Sequence, residues 1–264
     1  MTSPDTPAPN TPAPPWGLAG LRVLVTGGAT GIGGGISRAL AAAGARVAAQ
    51  YSGGTEAARA LEAETAGAVI TRAADLTSDG APACVVAWAI ESLGGLDAVV
   101  NNAGGMVERV PFEAVDDAFL DTVFDLNVRQ AVKVTQAALP ALTDSARASV
   151  LFVSSISART GGSPGSSMYS ASKAFLSTLT RSLARELAPR GIRVNALSPG
   201  TIDTAFHQRH STPLKLEGTR AGLPLGRLGT PEDCAGPALA LLSPALGGYV
   251  TGQVVEVNGG QLMA

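Results

Sequence analysis

The stretch Leu21-Arg-Val-Leu-Val-Thr26-Gly-Gly-Ala-Thr-Gly-Ile-Gly33 places a glycine-rich turn directly after a short β-type run. Gly27, Gly31 and Gly33 have the spacing G-x-x-x-G-x-G, and an alanine-rich helical pattern over residues 32–43 follows. Glycine allows a tight turn and a close backbone approach, and a helix N-terminus attracts anions. A plain loop would also fit the glycines alone, but the flanking strand and helix favour a site for nucleotide phosphates.

The alternation of strand and helix patterns continues along the chain. Runs such as 23–25 and 99–100 are apolar on both faces, which is typical of a parallel sheet covered by helices on both sides. We predict an α/β fold, a doubly wound parallel sheet in three layers, as a single domain over residues 16–264. The predicted strands are 21–26, 46–51, 68–72, 97–100, 149–154, 192–197 and 254–257, and the predicted helices are 32–43, 55–66, 81–93, 116–139 (stopped by Pro140), 168–188 and 231–242.

Composition and charge exclude several classes of protein. The net charge is −2, aromatic residues make up 4% of the chain, and lysine and arginine form no run, which excludes a nucleic-acid groove. No apolar run approaches the ~18 residues of a membrane helix. Charged residues are 15% of the chain against about 25% in an average protein, which favours a surface partly hidden in an oligomer.

The cysteines and the N-terminal residues indicate the compartment. Cys84 and Cys234 lie singly in alanine-rich segments, and we interpret them as reduced thiols rather than a redox pair or metal ligands. Residues 1–15 contain six prolines among serine, threonine and alanine, so we predict a disordered tail there. These residues lack the basic start and apolar core of a signal peptide, and we expect a cytoplasmic protein.

Tyr169 and Lys173 stand four residues apart in a helical pattern, which places both side chains on one face. An ammonium group beside a phenol lowers the phenol's pKa from its usual value near ~10. Tyr169 is therefore a candidate general acid or base. The pattern Y-x-x-x-K by itself is also that of an ordinary surface pair, so its weight depends on the other motifs.

Taken together, the motifs resemble those of the short-chain dehydrogenase/reductase family over roughly residues 18–262. The motifs are Thr26–Gly33, Asp75-Leu76, Asn101-Asn102-Ala103-Gly104, Asn127, Ser155, Tyr169-x-x-x-Lys173 and Ser198-Pro199-Gly200. The chain is most similar to 3-oxoacyl-carrier-protein reductase-like members, including at residues 226–229 and 257–260. The resemblance implies a Rossmann-like fold and an NAD(P)-dependent enzyme that transfers a hydride between nicotinamide and a ketone or secondary alcohol.

The resemblance also implies residue roles. Tyr169 would exchange a proton with the substrate oxygen, and Ser155 would donate a hydrogen bond to that oxygen. Lys173 would bind the ribose and lower the pKa of Tyr169, and Asn127 would bend its helix and hold a water near Lys173. The implied cofactor-binding residues are Gly27, Thr30, Gly31, Ile32, Gly33, Tyr51, Ser52, Asp75, Leu76, Asn101, Ala103, Gly104, Tyr169, Lys173, Pro199, Gly200, Thr201 and Ile202. Asp75 is alternatively a cap before Thr77.

Two departures from the family pattern affect these assignments. The family's serine usually precedes the tyrosine by 13 residues, a position that Ile156 occupies here. Ser155 is our candidate, with one residue inserted in the loop 161–167, because loops accept insertions at small cost. Tyr51 ends the second strand, where members that prefer NAD carry an acid, so NADP(H) is favoured and NAD(H) is the alternative.

The substrate end of the site is less determined by the sequence. Residues 202–223 would form a lid, and its Arg209, Lys215 and Arg220 would attract an anionic substrate or be plain surface charges. His207 and His210 are three residues apart, but no third ligand accompanies them, and we expect no metal.

We therefore favour an NADP(H)-dependent carbonyl reductase or alcohol dehydrogenase, with a 3-oxoacyl thioester among its candidate substrates. The alternatives are an NAD-linked sugar or polyol dehydrogenase and a cofactor-sensing binding protein, which the intact Ser155, Tyr169 and Lys173 argue against. An acyl carrier protein partner has weak support because the basic residues are scattered. The resemblance implies a homotetramer that packs through the helices 116–139 and 168–188.

Overall fold

The computed structural model describes residues 16–263, and the predicted disordered tail at residues 1–15 lies outside this range. Seven strands form one parallel sheet in the order β3-β2-β1-β4-β5-β6-β7. The strands are β1 (Arg22–Thr26), β2 (Arg46–Tyr51), β3 (Val69–Ala73), β4 (Ala98–Asn101), β5 (Ser149–Val153), β6 (Arg193–Pro199) and β7 (Val254–Val257). The strand order reverses between β1 and β4, which is where doubly wound sheets bind ligands.

Helices cover both faces of the sheet and complete the three layers. They are α1 (Gly31–Ala42), α2 (Thr55–Glu64), α3 (Ala81–Leu93), α4 (Asp117–Phe124), α5 (Gln130–Thr143), α6 (Ser157–Thr160), α7 (Ser167–Leu187), α8 (Ala205–His210), α9 (Pro213–Gly222), α10 (Pro231–Leu242) and α11 (Pro244–Gly247). Within residues 16–263, none of the helices has the length and apolar character needed to span a bilayer.

Alternation along each strand separates the core into two halves. In β1, Val23 and Val25 pack in the cluster that contains Ile36 of α1, whereas Leu24 packs in the cluster that contains Val85 of α3 and Val134 of α5. Successive side chains of a strand point to opposite faces, so an uninterrupted apolar run supplies both clusters. The predicted doubly wound α/β fold is confirmed.

The predicted helix 116–139 is interrupted near Asn127, where a bend was expected, and it ends later than predicted. A π-helical segment, Asp125–Arg129, separates α4 from α5, and Asn127 lies in this segment. Pro140 does not stop the helix, because α5 continues through it to Thr143. A proline removes the one hydrogen bond that its own nitrogen would donate, and near a helix end that loss is tolerated here.

Gly35 explains how closely two helices meet on one face of the sheet. A Cβ atom at Gly35 would lie 2.9 Å from Pro231 Cβ and 3.0 Å from the Pro231 carbonyl oxygen. Pro231 is the first residue of α10, which a capping box of Thr230 and Asp233 begins. The glycine therefore lets the N-terminus of α10 rest directly on α1.

Asp97 ties several elements together at the amino-terminal edge of the sheet. Its side chain is 2% exposed, and its carboxylate accepts hydrogen bonds from Arg22 (2.7 Å), Ser145 (2.7 Å) and Arg147 (2.9 Å). Burial opposes its ionisation, but the hydrogen bonds from Arg22 and Ser145 outweigh burial and hold the pKa of Asp97 well below its usual range. This edge is opposite the one that carries the cavity.

Candidate active site

The glycine turn after β1 is shaped by its neighbours. Gly27 has a φ of +60°, its N–H donates to Gln50 Oε1 at 2.9 Å, and its carbonyl accepts from Asn102 Nδ2 at 3.0 Å. A Cβ atom at Gly33 would clash with the Gly27 carbonyl and lie 2.5 Å from Asn102 Nδ2. Glycine at both positions therefore keeps the turn folded back against the end of β4.

The N-terminus of α1 opens at this turn. Thr30 occupies the N-cap but makes no capping hydrogen bond, and the first turn of α1 contains no acidic residue. The backbone N–H groups at the start of the helix are thus left for a ligand, and the helix dipole favours an anion there. These features fit the diphosphate of a dinucleotide.

Asn102 connects the ends of β1 and β4. Its Nδ2 donates to the carbonyls of Thr26 and Gly27, both at 3.0 Å, and its backbone N–H donates to Thr26 Oγ1 at 3.0 Å. The structure turns Asn101 away from the cavity, because its side chain donates to Thr135 of α5 at 3.0 Å. Neighbouring residues of a strand point to opposite faces, and that rule is the signal that would have selected Asn102.

Ser155, Tyr169 and Lys173 come together at the carboxyl end of β5. Ser155 follows the strand, and the other two lie one turn apart on α7. Tyr169 is 9% exposed and Lys173 is 4% exposed, and Lys173 Nζ lies 5.8 Å from the Tyr169 ring centroid. Lys173 Nζ donates to the Val153 carbonyl at 2.9 Å, which holds the ammonium group against the strand end.

Burial dominates the titration of both α7 side chains. It raises the pKa of Tyr169, although a hydrogen bond with Ser155 acts in the opposite direction. It also lowers the pKa of Lys173 to about 8. The sequence led us to expect that Lys173 lowers the pKa of Tyr169. In the structure, the loss of water around the phenol instead raises the pKa, so Tyr169 is protonated at neutral pH.

Three serines near the end of β5 have different surroundings. Ser154 Oγ donates to the Lys173 carbonyl at 2.9 Å and contacts Ser177 Oγ at 2.7 Å, on the side of α7. Ser155 Oγ accepts from the Ser157 backbone N–H at 3.1 Å and is the hydroxyl next to the Tyr169 phenol. Ser157 begins the short helix α6. The insertion in the loop 161–167 stays a prediction.

Asn127 lies behind the cavity rather than in its wall. Its Oδ1 accepts from Gly105 N–H at 3.0 Å, and its Nδ2 donates to the Gly105 carbonyl at 2.8 Å and to the Val123 carbonyl at 2.9 Å. A Cβ atom at Gly104 would lie 2.6 Å from Asn127 Oδ1 and 3.2 Å from Lys173 Nζ. Both polar groups therefore face the space beside Gly104.

A cavity of about 600 Å³ runs along the carboxyl edge of the sheet. Of the predicted site residues, those that line it are Gly27, Thr30, Gly31, Ile32, Ser52, Ala103, Gly104, Ser155, Tyr169, Lys173, Pro199, Gly200, Thr201 and Ile202. Those that do not line it are Gly33, Tyr51, Asp75, Leu76, Asn101 and Asn127.

Asp75 bonds locally to Thr77, although it is not the helix cap considered as the alternative, because α3 begins at Ala81 with Gly80 as its N-cap. Its Oδ1 accepts from the Thr77 backbone N–H at 2.9 Å and from the Thr77 hydroxyl at 2.7 Å. These hydrogen bonds lower the pKa of Asp75. Leu76 is buried among the residues on the α3 side of the sheet. Contact with an adenine ring stays a prediction for both residues.

The segment 202–223 contains two helices, α8 and α9, that cover the cavity. Phe206, His207 and Lys215 line it, whereas Arg209 and Arg220 do not. Arg220 pairs with Glu217 at 2.5 Å on the outer surface. The Phe206 ring lies 5.8 Å from the Tyr169 ring and 5.0 Å from each of the His207 and His210 rings. Within residues 16–263, no group of three or more histidine, cysteine or acidic residues could hold a metal ion.

Sequence reasoning missed Gln50, Arg109 and Gln261, which also line the cavity. Gln50 holds the glycine turn, and Gln261 Oε1 accepts from the Thr201 backbone N–H at 3.1 Å. None of the three belongs to a motif, and their partners are distant in the chain. Polar residues in or after strand ends were the available signal for Gln50 and Arg109.

The parallel sheet, the glycine turn and the cavity together define a class, the dinucleotide-dependent oxidoreductases. A family model described as enoyl-(acyl carrier protein) reductase matches residues 27–261. The 3-oxoacyl-[acyl-carrier-protein] reductase of Chlamydia muridarum is 34% identical over 246 residues, covering 92% of this chain and 98% of the relative. The chain belongs to the short-chain dehydrogenase/reductase family and is an NAD(P)-dependent oxidoreductase, as the resemblance implied.

Solved structures agree with this assignment. A structure described as an NADH-dependent reductase A1-R′ responsible for alginate metabolism has a TM-score of 0.86 and 34% identity, covering 94% of this chain and all of that chain. A short-chain dehydrogenase from Burkholderia cenocepacia in complex with NADP has a TM-score of 0.86 and 33% identity, covering 93% of this chain and 99% of that chain. Both nicotinamide cofactors therefore occur among its structural neighbours.

Proposed function

We propose that this protein is an NADP(H)-dependent carbonyl reductase that acts through Ser155, Tyr169 and Lys173. The observation that carries the proposal is the meeting of these three side chains on a cavity whose other end is the glycine turn. A hydroxyl, a phenol and an ammonium group at one point suit proton exchange with a carbonyl oxygen. A binding protein without turnover would have no need for this group.

The proposed mechanism assigns one task to each side chain. A bound nicotinamide dinucleotide supplies the hydride that reaches the carbonyl carbon. Tyr169 donates its phenolic proton to the carbonyl oxygen, and Ser155 donates a hydrogen bond to the same oxygen as negative charge develops. The protonated state that burial gives to Tyr169 suits this direction of the reaction.

Lys173 and Asn127 support Tyr169 in this proposal. The Lys173 ammonium group stabilises the phenolate left after proton transfer and binds the cofactor ribose. Asn127 Oδ1 faces the space beside Gly104, near Lys173 Nζ, where a water molecule would pass a proton to Lys173. The backbone of Gly27, Gly31 and Ile32 would bind the diphosphate.

The preference for NADP(H) rests on the end of β2. Tyr51 stands there instead of a carboxylate, Ser52 lines the cavity, and the described lining residues include no aspartate or glutamate. A 2′-phosphate therefore meets no like charge, and Ser52 would donate a hydrogen bond to it. Tyr51→Asp should shift kcat/KM toward NADH, and a wild type that already prefers NADH would contradict this interpretation of Tyr51.

The test is turnover of a panel of ketones and 3-oxoacyl thioesters with NADPH and with NADH, followed by loss of cofactor absorbance. Tyr169→Phe should abolish turnover and change NADPH affinity by no more than a few-fold, because the hydroxyl carries the proton whereas Lys173 binds the ribose. Near-wild-type turnover in this variant would overturn the mechanism. Oxidation of sugars with NAD alone would favour the sugar or polyol dehydrogenase alternative.

A further inference from the structure

The cavity carries an uncompensated positive charge at one end. Arg109, Lys173 and Lys215 line it, and no aspartate or glutamate does so among the described residues. Lys173 belongs to the proposed proton-exchange group. Arg109, which is half-buried, and Lys215, which is exposed, have no task in the proposed mechanism.

Arg109 is held by neutral acceptors. Its guanidinium donates to the His210 carbonyl at 3.3 Å and to the Pro164 carbonyl at 3.1 Å. These hydrogen bonds position the side chain between the lid and the loop before α7. Within residues 16–263, no carboxylate lies within 4.0 Å of it.

Lys215 reaches the same loop from the lid helix α9. Its Nζ donates to Ser163 Oγ at 2.8 Å, and in the described part of the chain it also has no ion-pair partner. Partial burial lowers the pKa of Lys215, and the charge of Arg109 lowers it further. Each of these cations therefore destabilises the other, and a bound anion would relieve both.

His207 does not change the net charge at this end of the cavity. Burial lowers its pKa to about 4, followed by the charge of Lys215, while Asp203 acts in the opposite direction. The imidazole is therefore neutral at physiological pH and leaves the negative partner to come from a ligand.

These cations lie at the substrate end of the cavity. Ser163 and Pro164 belong to the loop that leads directly into α7 and Tyr169, and Phe206 of the lid contacts the Tyr169 ring. The glycine turn and Ser52 lie where the cofactor diphosphate and ribose would bind. Cofactor phosphates therefore do not account for Arg109 and Lys215.

We propose that the substrate is a ketone that carries a free carboxylate, which Arg109 and Lys215 bind while Tyr169 faces the ketone oxygen. This inference rests on the proposed reductase function. Arginine presents parallel N–H groups that match the two oxygens of a carboxylate, and lysine adds a second charged donor. A neutral ketone would leave both cations unpaired on binding.

The test compares matched acids and esters. The probes are 3-oxobutanoate, 4-oxopentanoate and 5-oxohexanoate with their methyl esters, and dihydroxyacetone phosphate represents a phosphorylated ketone. We expect at least one acid to exceed its ester about 10-fold or more in kcat/KM, the usual size of a hydrogen bond to a charged group. A general preference for the esters, or for the phosphorylated ketone over every acid, would overturn the proposal.

Variants locate the effect. Lys215→Gln should lower kcat/KM for the preferred acid about 10-fold or more and lower it much less for the ester, so that the ratio of acid to ester falls. An unchanged melting temperature shows that the variant folds. Arg220→Gln is the matched control, because it removes one positive charge from the same helix but outside the cavity. It should leave kcat/KM unchanged for both the acid and the ester. An equal loss on acid and ester in Lys215→Gln would contradict carboxylate binding.

The two proposals fail in different ways. Turnover of ketones without any preference for acids defeats the carboxylate inference and leaves the reductase function standing. If no ketone is turned over, the reductase proposal fails. Calorimetric binding of 4-oxopentanoate to wild type and to Lys215→Gln, each saturated with NADP⁺, then decides the anion site alone. Equal or absent binding in the two proteins would overturn it.

Discussion

Ser155 and Ser157 both line the cavity, but only Ser155 adjoins the Tyr169 phenol. Removal of one donor to a developing oxyanion typically costs about 10²–10³ in kcat, so Ser155→Ala should lose roughly this factor and retain cofactor affinity. Ser157→Ala is the matched control and should lose far less. Steady-state kinetics of both variants with one good ketone tests the assignment, and a reversed order of loss would reject it.

The titration of Lys173 predicts how reduction depends on pH. Burial lowers its pKa to about 8, so the ammonium group is present at neutral pH and is lost as the pH rises through this value. Tyr169 stays protonated over the same interval because burial raises its pKa. We expect kcat/KM for ketone reduction to decline above about pH 8. A rate that stays level up to the ordinary pKa range of lysine, near ~10.4, would contradict this role of Lys173.

At the scale of secondary-structure elements, the Asp97 cluster joins the start of β1 to the loop before β5. Asp97→Asn leaves Arg22 and Arg147 without their anion, and breaking a buried pair costs about 3–5 kcal/mol. We expect a loss near the lower value, because both arginines are about one-third exposed. Glu64→Gln, which removes the exposed partner of Arg38, is the control and should cost less than about 1 kcal/mol.

The Asp97 cluster also affects how the free energy of unfolding changes at acidic pH. The pKa of Asp97 is depressed in the folded protein, so its contribution is present above the unfolded value near ~3.9 and is lost as the pH falls below it. Urea unfolding at neutral and at acidic pH measures this difference. The difference in the free energy of unfolding between wild type and Asp97→Asn should become smaller at acidic pH. A difference that stays constant would show that the ionised carboxylate does not cause it.

Most elements could be predicted because they depend on local apolar periodicity. The bounds of β2, α3, α10 and β7 match their predicted ranges, since each is a sheet strand or a helix with one buried face. The lid helices α8 and α9 were missed. Neither helix contains a buried residue, so their sequences show no helical periodicity of apolar residues.

The site was predictable where a motif carried it and not where distant residues meet. Tyr169, Lys173 and the glycine turn are local patterns. Arg109 instead contacts His210 of the lid, 101 positions away, and Pro164 of the loop before α7, 55 positions away, and a linear pattern cannot report such contacts. The choice of Asn102 over Asn101 depends on the direction of each side chain, which the strand register sets.

At the scale of the whole molecule, apolar side chains remain exposed on α4 and α7. Phe175 is 42% exposed and Leu120 is 37% exposed. These helices lie within the segments that the resemblance assigns to a subunit interface, so we expect a homotetramer in solution. Phe175→Glu should shift the sedimentation coefficient toward smaller species. Leu214→Glu, at an apolar position of α9 that is 84% exposed, should leave it unchanged, and a wild-type monomer would contradict the expectation.

Larger residues at Gly33 and at Gly35, two glycines of α1 that lie against other backbone, should have different consequences. Gly33 and Gly35 are separated by one residue, yet the first is confined by the Gly27 carbonyl and the second by Pro231. In a library that randomises both codons, sorting by heat resistance would remove larger residues at position 35, because they push α10 off α1. Sorting by cofactor binding would remove larger residues at position 33, because they displace the glycine turn after β1. Two neighbouring glycines would thus record two separate selective pressures.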